Sequence, residues 1–229
     1  MKILKEDAEL THSLYRFTHE CAIRLQQTYK FKQQSRSGDI TVDMAEINTN
    51  SNFIHEVVKY NKIIYAEYNN AKFYALALSN GDIAINSSKI NIDDSNTIRS
   101  ALMHELRHLI DDFLSDSKAQ KNYPNLDIYA DKEIPPEVYS QYLKHNLEVS
   151  SRIEQALMYI TNNFGYFLAD NGIDYNSLQE IIRVAASNNN LTSDLVGDKI
   201  YQKLARRATQ SARYLYAEYI KFLNKRKQK

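Results

Sequence analysis

The chain has 229 residues, 43% hydrophobic and 25% charged, with 5 glycines, 3 prolines and 17 tyrosines. That composition can bury a core and excludes pervasive disorder, and so few chain breakers argue against a many-turned β sandwich. A single cysteine, Cys21, excludes a disulfide framework and a thiolate-rich zinc site, and a net charge of +1 favours no polyanionic partner.

In chain order, residues 5–32 repeat apolar side chains at Leu10, Leu14, Phe17, Cys21 and Leu25, the period of an amphipathic helix. Ser35-Arg36-Ser37-Gly38 ends it, and the alternation of Ile40, Val42 and Met44 with polar neighbours predicts a short strand. Residues 51–60 are ambiguous, with a short helix favoured. Residues 62–68 and 71–78 are rich in Ile, Tyr and Phe, and Asn80-Gly81 leads into 82–86. That dipeptide predicts a type I′ turn, and the three segments together predict an antiparallel meander.

A helix over residues 95–114 follows, capped by the side chains of Asp93, Asp94 or Ser95. Residues 115–133 are polar, contain Pro124 and predict a long loop or lid. Pro135-Pro136 opens another helical stretch, and Asn146 is the expected N-cap of a helix through Val149, Ile153, Leu157 and Ile160. Asn171-Gly172 stops the chain before two last helices, 177–186 and 198–223. The expected fold is α+β, mostly helical, with a small antiparallel sheet preceding the helix over 95–114. A single domain over 1–229 is expected, with an N-terminal helix (1–36), a core (39–165) and a C-terminal helical extension (172–229).

The chemistry lies in His104-Glu105-Leu106-Arg107-His108. On a helix this H-E-x-x-H spacing puts two imidazoles one turn apart, able to share a zinc ion, with Glu105 beside the metal-bound water. On a helical wheel Ile98, Leu102, Leu106, Leu109, Ile110 and Phe113 form the apolar arc. His104, His108, Ala101 and Asp112 lie opposite, with Glu105 at the border, so the pair faces either solvent or a cleft. A catalytic zinc needs a third protein ligand and an open position. Glu148, in the first turn of the Asn146 helix with Arg152 four residues on, ranks first. His145 ranks second and Glu154 third. Asp112 is a candidate acceptor for a ligand imidazole.

His104-Glu-Leu-Arg-His108 after a strand-rich segment, with a glutamate opening a later helix, resembles the zincin metallopeptidases of the glutamate-ligand (gluzincin) kind. The likeness covers roughly residues 62–160, and Tyr142 to Arg152 is similar to segments downstream of such motifs in phage and bacterial metallopeptidases. The third-histidine pattern of the metzincins is absent after His108. The resemblance implies Zn²⁺ on His104, His108 and Glu148, Glu105 as general base, and a protein or peptide substrate paired along a sheet edge. Tyr142 is the expected oxyanion donor, from a set that also holds Tyr139, His145 and Arg152. A secreted effector delivered to a host cell and a phage-encoded peptidase are both compatible with it.

Charge is uneven. Residues 198–229 hold ten Lys/Arg against Asp198 and Glu218, a local +8 that leaves the remainder at −7. The bland reading is a packed terminal helix with a solvated basic face. Its functional counterpart is nucleic-acid contact through residues 199–229, as in a SprT-like DNA-associated protease in which a histidine such as His145 is the third ligand. A non-enzymatic helical interaction protein with a coincidental motif is the remaining alternative. No apolar run reaches membrane-spanning length, and MKILKEDAEL lacks a signal-peptide core, so cytoplasmic synthesis is expected.

Overall fold

The computed structural model describes residues 2–33, 39–69, 73–115, 137–138, 141, 145–169 and 171–227. The described residues are mostly helical, with a four-stranded and a two-stranded sheet, an α+β fold. They divide into two compact units, Ser13–Ser151 and Met1–His12 with Arg152–Lys229. Among them no helix is long and apolar enough to cross a membrane.

In the Ser13–Ser151 unit, helix α1 (Lys2–Gln33) supplies Leu14, Phe17, Cys21 and Leu25, all fully buried, as their period predicts. The sheet is built from β1 (Ile40–Asp43), β2 (Lys62–Ala66), β3 (Ala75–Ala77) and β4 (Ile83–Asn86). Its order is β1-β2-β4-β3, with β2 and β4 parallel and the outer pairs antiparallel. The sheet is therefore mixed, and the expected antiparallel meander is incorrect. Burial explains the order. All four β4 residues are buried, as are Ile63, Tyr65 and Ala66 of β2, so these two strands take the doubly covered centre. β3 has only two alanines and a leucine, none of them buried, and crosses to the far edge.

The expected type I′ turn is also corrected, because only Gly81 has positive φ (+85°) and Asn80 does not. Leu78 N–H donates to Asp82 C=O at 2.8 Å and Gly81 N–H to Leu78 C=O at 2.8 Å, a three-residue hairpin with glycine in the left-handed position. Fully buried Asn86, ending β4, fixes the start of β3. Its Nδ2 donates to Tyr68 and Phe73 carbonyls, each at 3.3 Å, and its Oδ1 accepts from Tyr68 N–H at 3.3 Å.

The ambiguous segment forms helix α2 (Asn52–Val58), with Ser51 Oγ accepting from Ile54 N–H at 3.3 Å. Helix α3 (Ser95–Ser115) starts at Asp94, whose carboxylate accepts from Thr97 N–H at 3.0 Å and Thr97 Oγ1 at 2.6 Å. Ile98, Leu102, Leu106 and Ile110 are buried, while Phe113 is mostly exposed and meets Phe53 edge-on at 6.0 Å. The apolar arc thus ends one turn earlier than its periodicity suggests. Helix α4 (Asn146–Asn162) is capped by His145 rather than Asn146, since Val149 N–H donates to His145 C=O at 2.9 Å.

The other unit contains the later part of α4, with Ile153, Leu157 and Ile160 buried, and the hairpin β5 (Leu168–Ala169) and β6 (Gly172–Ile173). Helices α5 (Tyr175–Asn188), α6 (Ser193–Val196) and α7 (Asp198–Lys227) complete it. Asn190, at φ 52°, ends α5 in the left-handed region while Leu191 N–H reaches back to Ala186 C=O at 2.8 Å. The expected 115–133 loop lies outside the described residues beyond Ser115.

Candidate metal centre

One helical turn separates His104 from His108 on α3, and both side chains are largely but not fully buried, at 15% and 17% exposure. Glu148 projects from the first turn of α4 and is 1% exposed. The three converge: His104 Nε2 and His108 Nε2 are 3.0 Å apart, and Glu148 Oε2 lies 3.4 Å from the first and 3.6 Å from the second. They form the one described group of three or more His, Cys, Asp or Glu side chains able to hold a metal ion.

The donor set fits zinc on two counts. Four-coordinate tetrahedral zinc with bonds of roughly 2.0–2.1 Å needs donors about 3.3–3.4 Å apart, and the three observed edges straddle that spacing. The point equidistant from the three atoms is about 1.9 Å from each, just inside a zinc–nitrogen bond. Chemically, two imidazoles and a carboxylate are a set used by catalytic zinc.

Glu105, 7% exposed, points to the sheet side of α3, where its Oε2 accepts from the backbone N–H of Ala77 at 2.9 Å. That amide is available because of the β3 register. Asn86 N–H donates to Tyr74 C=O at 3.0 Å and Leu78 N–H to Asp82 C=O, so residues 74, 76 and 78 turn their backbone groups toward β4. Ala75 and Ala77 turn theirs to the outer edge, beside Glu105. Sequence reasoning missed this contact, since nothing local in either segment announces it.

Ser151 is a second omission. Its hydroxyl donates to Leu147 C=O at 3.1 Å and stands 3.3 Å from His108 Nδ1 and 3.4 Å from His108 Nε2, one turn along α4 from Glu148. The i, i+3 spacing of Glu148 and Ser151 is the signal that carries it. Asp112, considered for a comparable role, is half-buried on α3.

His145 stays outside the donor group. Its Nδ1 accepts from Leu147 N–H at 3.4 Å, which leaves the ring proton on Nε2. Burial pushes its pKa down, opposed by the charge of Glu148 and aided by His108. Glu154 also lies outside that group. Fully buried in the other unit, it accepts from Arg207 Nη2 at 2.6 Å and from Thr11 Oγ1 at 2.9 Å. Arg152 is buried and belongs to that unit as well. Tyr139 and Tyr142 lie outside the described residues. Of the basic residues on α7, Lys199, Lys203, Arg206, Arg213, Lys221, Lys225 and Arg226 are exposed, whereas Arg207 is drawn into the Glu154 pair.

Compared with protein-family models, curated proteins and solved structures, the chain matches none.

Proposed function

We propose that this protein is a zinc metallopeptidase that hydrolyses peptide bonds in a protein substrate. The observation that carries the reading is the convergence of His104 Nε2, His108 Nε2 and Glu148 Oε2 to donor–donor distances of 3.0, 3.4 and 3.6 Å. Zinc held by these three supplies a Lewis acid and a water acidified toward neutral pH.

The chain's own groups do the rest. Glu105, beside His104, takes the water's proton and passes it to the leaving amine. Its Oε2 is engaged by Ala77 N–H, so Oε1 is the oxygen that handles the proton. An extended peptide finds main-chain partners on the outer edge of β3, giving affinity that does not depend on one sequence. His145, with its ring proton on Nε2, is the described donor best suited to the developing oxyanion, and Tyr142 is a second candidate.

Glu148, not His145, completes the donor group, which favours this reading over a SprT-like DNA-associated protease. The test pairs metal analysis with proteolysis of an unfolded protein substrate. Purified chain should carry zinc, lose activity to a chelator and regain it on zinc addition. Glu105→Gln should retain zinc and lose hydrolysis. A chain that neither binds zinc nor is stabilised by it would make the motif a coincidence. Tight, salt-dependent DNA binding lost on deleting 199–229 would revive the DNA-associated reading.

A further inference from the structure

Resting on the metallopeptidase reading, we infer that the backbone amide of Ala77 is the positioning group for Glu105, and that it divides the β3 edge between catalysis and substrate pairing. A glutamate on a helix has three side-chain torsions to fix, and its nearest covalent anchor here is α3 itself. The 2.9 Å bond from Ala77 N–H supplies an anchor from the sheet. That anchor is stiff: β3 is tied to β4 on its inner side, closed by the Leu78–Asp82 hairpin and held at its start by Asn86.

The division follows from register. Ala75 N–H, Ala75 C=O and Ala77 C=O face the outer edge with Ala77 N–H, and that last donor is already engaged by Glu105. A substrate strand therefore pairs through Ala75, and pairing stops where Glu105 begins. Ala75 serves binding, while Ala77 N–H serves the chemical step by keeping Glu105 Oε1 aimed at the water.

Proline substitution tests this, because neither amide belongs to the β3–β4 ladder and an edge strand tolerates proline where its N–H faces outward. Ala77→Pro should lower kcat about 100-fold, the scale expected when a reacting group is misplaced by about 1 Å, with KM little changed. Ala75→Pro should raise KM by up to about tenfold, the worth of one hydrogen bond, and leave kcat alone. If Ala77→Pro fails to fold, an amide-to-ester replacement at Ala77, made by semisynthesis, removes the donor without a ring. A second readout needs no activity. In the metal-free chain, Glu105→Ala should shift the Ala77 amide proton upfield and speed its exchange with solvent. An Ala77 amide indifferent to Glu105→Ala, or an Ala77→Pro protein whose loss lies in KM alone, overturns the inference. Failure of the metallopeptidase reading is distinct, because it appears in the wild-type chain as absent zinc and absent hydrolysis.

Discussion

His104 Nε2 lies 3.0 Å from His108 Nε2, a hydrogen-bond distance between two atoms that must both be unprotonated to bind zinc. Glu148 Oε2 lies alongside, 3.4 Å from the first and 3.6 Å from the second. Zinc on both Nε2 atoms requires two neutral rings, each carrying its proton on Nδ1. Zinc affinity, followed by competition with a chelator corrected for its own proton uptake, should therefore fall as pH is lowered through the range in which imidazole gains a second proton. An affinity independent of pH between about 5 and 8 would mean that the two rings are not ligands.

Glu148 contributes one of the three donor atoms and His145 contributes none. Glu148→Ala should weaken zinc binding by more than about 100-fold, beyond what outer partners of a ligand are worth, in a competition assay with a chromogenic chelator. His145→Ala should change affinity by less than about tenfold, within the range of an outer group. The reverse order would move the third ligand to His145. Saturating zinc at about 100 times its Kd should also stabilise the folded chain by about 2.7 kcal/mol, an increment absent in His104→Ala.

Glu154 and Arg207 form a buried pair shared with Thr11. Removing one partner leaves a buried charge uncompensated, so Glu154→Gln or Arg207→Met should cost about 3–5 kcal/mol in urea unfolding. Combining Glu154→Leu, Arg207→Met and Thr11→Val removes all three polar groups and should recover most of that loss. Zinc affinity should be unmoved in Glu154→Gln; a large drop would return this residue to the ligand set.

The helices and the two histidines were legible because their signals are local. The apolar period of α1, Asp94 capping α3 and the four-residue spacing of His104 and His108 each act within one or two turns. That Glu148 stands beside the histidines was legible because a polar residue in the first turn of α4 is the expected companion of such a pair. The strand order was not, since it depends on which strands are buried on both faces: β4 is, β3 is not, and alternation along each strand does not reveal it. The Ala77–Glu105 contact needs that strand order, so it was illegible too. Glu154 misled because a buried glutamate reads the same in sequence whether a metal or an arginine satisfies it.

Asn86 controls where β3 begins. Replacing it with Asp keeps the shape but removes the two donors serving Tyr68 and Phe73 carbonyls, and it puts charge at a fully buried position. Asn86→Asp should cost about 2–4 kcal/mol in urea unfolding and quicken hydrogen exchange at β3 amides. A change within about 0.5 kcal/mol, the range of ordinary surface substitutions, would show that β3 is held by its ladder to β4 alone.

Asp174 caps α5, its carboxylate accepting from Ser177 Oγ at 2.6 Å, Asn176 N–H at 3.0 Å and Ser177 N–H at 3.3 Å. The Ser177 hydroxyl, followed by the two backbone donors, holds its pKa below the ordinary aspartate value. The ionised form is thus favoured by folding, so its stabilisation is present in full above the unfolded-state pKa of about 3.9. It is lost as pH falls through the lower folded-state value. Asp174→Ala should accordingly lower Tm at pH 7, and the gap to wild type should narrow as pH drops below about 4. Paired thermal melts, followed across the range in which both proteins stay folded, measure that gap. A gap of constant size down to the acid limit would mean that the charge on Asp174 adds nothing to the cap.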